Sequence, residues 1–169
     1  MYNVGLRVVC PPDTLGMTDD NLTIDPFLTA FVAAHQAGKP ITTALRIERL
    51  DELLRECLEE QDATVECVEC RAVLAIERVF NPVNPFAASM TLDRLLYALG
   101  PFVHAPWLRT DPEMQAEQWR FVRAIVEAVQ RTPLFHERFG SPAIARQLAM
   151  LDDHVARGLR RSSQARRRG

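Results

Sequence analysis

Two cysteines three residues apart, Cys67 and Cys70, are the residues best placed for chemistry in this chain of 169 residues. Such a pair supplies half of a tetrahedral zinc site or both thiols of a redox couple. Zinc would need two further ligands, with Cys57, Cys10, His104 or a late histidine to choose from. Structural zinc sites normally carry a second paired motif, and none follows. A redox pair needs cations or a helix N-terminus to favour its thiolate, whereas Glu66 and Glu69 flank this one. The plain reading is buried thiols acting as small hydrophobes. Metal binding at Cys67 and Cys70, in a small zinc-dependent regulator, stays as a third alternative, and no cofactor is expected.

The histidines assemble nothing by spacing. His35 falls near the end of an expected helix, where the last carbonyls are at hand. His136-Glu137 and Asp152-Asp153-His154 bring acids beside imidazoles, but a helix splays such near neighbours apart. The chain holds no nucleophile elbow, phosphate loop, dinucleotide fingerprint or His-Glu-x-x-His. No catalytic residue is nominated, and an enzyme is not the expected class.

Binding chemistry has two candidates. The first is the proline-bounded segment 101–109, PFVHAPWLR, which places Phe102, Trp107 and Arg109 in an irregular connection; Phe86, with Phe80 and Val83, does the same around the Asn-Pro turns. Exposed aromatic and arginine side chains are common interface anchors. Equally, both rings can fold back as plugs over a helical core. The second candidate is the C-terminus, where Arg157, Arg160, Arg161, Arg166, Arg167 and Arg168 face no acid beyond Asp153. The body up to Ala156 holds 14 cations against all 22 acids, a net −8 behind a tail of +6. Such a tail suits phosphate backbones, an acidic membrane surface, or the acidic face of another protein or copy. It lacks interleaved aromatics, so base-specific RNA reading is not expected. It can also be a solubilising helix end. Arg160-Arg161-Ser162-Ser163 further resembles a basophilic kinase substrate, and a phosphate there would lower the tail's charge.

These residues are positioned by helices. Asp25-Pro26 opens one in the preferred way, with a side-chain acceptor at the cap and proline at the first helical position; Gly38 and Pro40 stop it. Thr43 is expected to cap the next, whose stripe is Leu45, Ile47, Leu50, Leu53, Leu54, Cys57 and Leu58. The longest strongly apolar run follows, Thr64 to Phe80, with 11 of its 17 residues apolar. A segment apolar on most sides is expected to be a central scaffold helix that neighbours cover. Val65, Val68, Ala72, Ala75, Ile76 and Val79 would be its buried face. Its first part, Thr64 to Glu69, reads as strand or helix. Thr91 caps a short helix closed by Gly100-Pro101. Asp111-Pro112 opens the clearest helix, to Gln130. Thr132-Pro133 starts a brief helix ending at Gly140, and Ser141-Pro142 opens the last.

The expected fold is mainly α, a compact bundle of about five to seven helices in a chain of this length. Residues 1–24 would form an N-terminal strand or arm (Tyr2 to Cys10) and a loop. Residues 25–160 would be one helical domain, and 161–169 a basic disordered tail. With no signal segment, lipidation motif or spanning apolar run, a soluble, cytoplasmic location is expected. The functional expectation is a non-enzymatic interaction protein, an adaptor or assembly subunit, that binds a protein partner or itself. The alternative is non-specific nucleic-acid association through the arginines.

Overall fold

The computed structural model describes residues 23–61, 67–132 and 141–168, with the backbone alone for 165–168. Among the described residues seven helices follow in order: α1 (Ile24–Gln36), α2 (Ile41–Glu59), α3 (Val68–Phe80), α4 (Pro85–Ser89), α5 (Leu92–Phe102), α6 (Pro112–Gln130) and α7 (Pro142–Arg168). The fold is mainly α, as the periodicity requires. Among the described residues no helix is long and apolar enough to cross a membrane. The expected strand Tyr2 to Cys10, the segment Thr64 to Glu66 and the brief helix 133–140 lie outside the described residues. Just inside them, Thr23 makes an antiparallel bridge with Thr91, and the Ile24 N–H donates to the Met90 carbonyl at 2.9 Å.

The proline-led starts behave as their chemistry demands at two sites. Asp111 accepts from the Met114 N–H at 2.8 Å, and the Ser141 hydroxyl accepts from Ile144 N–H at 3.3 Å. Asp25 differs: Thr23 holds the cap position, and the Asp25 carboxylate pairs with Arg55 on α2 instead. Helix α2 starts at Ile41 behind Pro40, ahead of the expected Thr43 cap. Gly38 ends α1 at φ +72°, a left-handed turn that side chains disfavour. Pro101 does not end α5 but lies in its last turn, where its missing N–H forfeits a single helical bond.

Helix α2 is the hub, packing on α1, α4, α5 and α6, while α5 and α6 hold α7. Leu50, Leu54 and Leu58 from α2 meet Leu95, Leu99 and Phe102 from α5 and Phe121, Val122 and Ile125 from α6 in one core. Helices α6 and α7 approach so closely that a Cβ on Gly158 would stand 2.3 Å from the Trp119 ring. On the other side, Glu59 at the end of α2 accepts from the Phe86 N–H at 3.0 Å and pins the start of α4.

Two expectations are corrected. The apolar run is not central: α3 packs chiefly on α4 at the edge of the bundle, and Leu74 is its one buried residue. Among the described residues no element packs closely over its other sides, so hydrophobicity alone does not bury it. Nor is 161–168 a disordered tail, because α7 runs on to Arg168. Arginine, glutamine and alanine are good helix formers, and two hydroxyls fold back onto the helix: Ser162 donates to the Gly158 carbonyl at 3.1 Å and Ser163 to Leu159 at 2.9 Å.

Candidate interaction surface

Among the described residues, the outward side of α3 carries a run of exposed apolar side chains. Val68 is 66% exposed, Ile76 59%, Val79 76% and Phe80 82%, with Ala72, Val73 and Ala75 exposed among them and Val83 just beyond. Val68, Ala72, Ala75 and Val79 repeat at i, i+4, i+7 and i+11, the alternation of four and three that makes a coiled-coil seam. Ile76, Phe80 and Val73 widen the seam on one flank. Arg71 and Arg78, seven residues apart and both exposed, border the other. The face read from sequence as buried is therefore the face turned to solvent. Contiguous exposed apolar surface of this kind marks interaction sites in soluble proteins.

Local chemistry holds this helix in place. Cys67 is its N-cap, its sulfur accepting from the Cys70 N–H at 3.4 Å. The Cys67 thiol lies 3.1 Å from a Glu69 carboxylate oxygen, and that contact holds the exposed Glu69 carboxyl below its ordinary range. Cys70 packs partly against the core beside Leu74. The pair is thus a helix cap. Cys57 is fully buried, and burial together with Glu60 pushes its thiol up to about 12, far from a ready thiolate ligand. Among the described residues no three histidine, cysteine or acidic side chains gather as a metal would require. His104 and His154 do meet, with ring centroids 4.4 Å apart, and His154 lies 5.3 Å from the Trp119 ring. Burial holds His154 below its ordinary range, and the charges of His104, Arg157 and Arg161 act the same way against Asp153.

The aromatic connection 101–109 is fastened from beneath. Gln118 of α6 is wholly buried; its amide donates to the Phe102 carbonyl at 2.8 Å and the Trp107 carbonyl at 3.2 Å, and its oxygen accepts from the Arg109 N–H at 2.9 Å. Phe102 is 0% exposed and Phe86 1%, both in the core. Trp107 is half-buried against that core, and Arg109 alone of the four stands exposed. The plug reading describes these rings, and neither Phe102 nor Phe86 is on offer to a partner without unpacking the bundle. Arg157 is ion-paired with Asp153 at 2.9 Å; Arg160 and Arg161 are exposed. Positions 166–168 continue the helix.

The surface residues missed by sequence reasoning are those of α3 itself. Their signal was present as the four-three spacing with two alanines in the seam, which favours close helix approach. The chain matches no family model, no curated protein and no solved structure.

Proposed function

We propose that this chain is a non-enzymatic interaction protein, an adaptor or assembly subunit, whose α3 face seats an amphipathic helix of a partner protein that carries acids along one edge. The observation that supports this is the exposed heptad seam Val68, Ala72, Ala75, Val79 on a helix with a single buried residue. A seam of that spacing is satisfied by another helix laid along it, in the manner of a helix-in-groove complex. Charge selects the partner. Arg71 and Arg78 occupy the same flanking position in successive heptads, so they favour a helix presenting glutamate or aspartate there. Pairing of α3 with itself is disfavoured by the same residues. An antiparallel pair sets Arg71 against Arg78 of the other copy, and a parallel pair sets Arg71 against Ile76 without a salt bridge.

Two synthetic peptides test this, each about four heptads of leucine seam, one with glutamate and one with lysine on its flanks. Fluorescence anisotropy should show the glutamate peptide binding with a Kd of about micromolar order and the lysine peptide at least about tenfold weaker. Ile76→Asp with Val79→Asp should abolish binding. Binding untouched by that double variant, or absence of binding by either peptide, would contradict the proposal. A concentration-dependent dimer in sedimentation that the double variant abolishes would transfer the face to a second copy.

A further inference from the structure

Helix α7 divides into two halves with different surroundings. Its first half buries Ile144, Leu148, Leu151 and Val155. Beyond Leu159 the only apolar residue is Ala165, yet the helix persists to Arg168. Ordering the segment as helix changes what its arginines can do. Arg157, Arg160, Arg161 and Gln164 stand at i, i+3, i+4 and i+7, one face of the helix, and positions 167 and 168 continue the same register. Arg157 on one turn and Arg160 with Arg161 on the next thus set cations about 5.4 Å apart along the axis, with the polar Gln164 on the turn that follows. Arg157 pairs with Asp153 at 2.9 Å, and no acid follows Asp153 in the sequence to neutralise Arg160 and Arg161 from their own helix.

Beside this face lies an open groove of about 420 Å³ between α6 and α7, lined by Arg123, Ala156, Leu159, Arg160, Ser163 and Gln164. Two guanidinium groups from different helices thus border a groove that also offers a hydroxyl and an amide and contains no carboxylate. Arg123 and Arg160 make no ion pair among the described residues. Arg160 belongs both to the groove and to the outer row, so the two features form one surface.

We infer that this surface, Arg123 with Arg157, Arg160 and Arg161, binds the phosphate backbone of nucleic acid without reading its bases. Arginine forks match phosphate oxygens two at a time. Arginines on two adjoining turns of α7, with Arg123 across a groove that holds no carboxylate, suit a continuous line of charges better than the scattered carboxylates of a folded protein. No aromatic side chain lines the groove, so the base stacking that single-strand binders use is missing, and duplex DNA is the fitting form. A lipid surface fits less well, because the projecting part of α7 has no apolar side to insert. The acidic body, with Glu48, Glu52 and Glu56 exposed along α2, repels the duplex and leaves α7 as the side that approaches it.

The experiment is anisotropy of a short labelled DNA duplex with the full chain, titrated from about 50 to about 200 mM salt. About four phosphate contacts give a log–log salt slope of about −3 to −4. The triple variant Arg123→Gln, Arg160→Gln, Arg161→Gln should weaken binding at least about tenfold and flatten the slope by about one per arginine removed. These positions are exposed, and circular dichroism verifies that the variant keeps its helices. Arg46→Gln with Arg49→Gln, on α2, should leave binding as it was. Absence of duplex binding at the lowest salt, or a triple variant with unchanged slope, overturns the inference. So do two other results without DNA binding: capture by anionic vesicles alone, and a salt-sensitive association of the chain with itself.

Discussion

Helices α6 and α3 have opposite relations between composition and burial. α6 is an ordinary amphipathic helix, its polar residues gathered on one side, and it buries Trp119, Phe121, Val122, Ile125 and Val129. α3 is apolar around most of its circumference, yet it buries Leu74 alone. The more hydrophobic helix is the less buried. A helix is covered only where other elements have faces to spare, and here the faces of α2, α5 and α7 are spent on α6 and on one another. Among the described residues, what α3 lacks is neighbours beyond α4 that pack on it closely. Its second apolar side is then either a liability or a binding surface, and its seam spacing and arginine border fit the latter.

Truncation should separate the two helices most sharply. Phe121→Ala removes a fully buried ring and is expected to cost about 3–5 kcal/mol. Phe80→Ala on α3 should change stability by no more than about 0.5 kcal/mol. Urea denaturation of both measures the contrast, and a Phe80→Ala cost near that of Phe121→Ala would erase it. Gln118→Leu comes next, because it strands the buried Phe102 carbonyl and removes two part-buried bonds to the 102–109 connection, at an expected cost of about 2–3 kcal/mol. Gly158→Ala is smaller and has a diagnostic sign. In an open helix this change gains up to about 1 kcal/mol. Against the Trp119 ring it should instead lose about 1–3 kcal/mol, seen as a lowered Tm.

The pH response sharpens the comparison further. His154, on the α6 side, and His35 are both held below their ordinary range, chiefly by burial; Lys39 adds to the effect at His35 and Glu117 opposes it. Below about pH 6.5 the unfolded chain therefore takes up protons more readily than the folded one. Stability present above that value is lost as pH falls toward the folded-state pKa values. Urea midpoints at pH 7.5 and 5.5 should show the loss, and His154→Phe should reduce it; a midpoint that rises on acidification would contradict the assignment. Smallest of all is the stability effect of Ile76→Asp and Val79→Asp, within about 0.5 kcal/mol, although the same pair should abolish binding.

Much of this was legible in the residues. Asp111-Pro112 and Ser141-Pro142 marked helix starts because the capping geometry is local and complete within a few residues. Leu50, Leu54 and Leu58 announced a buried stripe because acids occupy the other side of α2. The α3 face was visible as apolar but not as exposed, since a seam awaiting another helix and a seam already covered have the same composition. Gln118 gave no signal either: a glutamine in an amphipathic helix reads as surface until a loop's carbonyls are placed beside it. The helical course of 161–168 was missed because no apolar residue anchors it, and its arginines, glutamine and alanine favour helix by propensity alone.

Amide hydrogen exchange of the free and peptide-bound protein tests the central claim most directly. A helix with one buried residue opens at low cost, so the α3 amides from Arg71 to Phe80 should exchange far faster than those of α6 in the free chain. The glutamate-edged peptide should slow them at least about tenfold and leave the α6 rates as they were. If α3 is as protected as α6 in the free protein, or if the saturating peptide leaves its rates unchanged, then α3 is not the open docking face described.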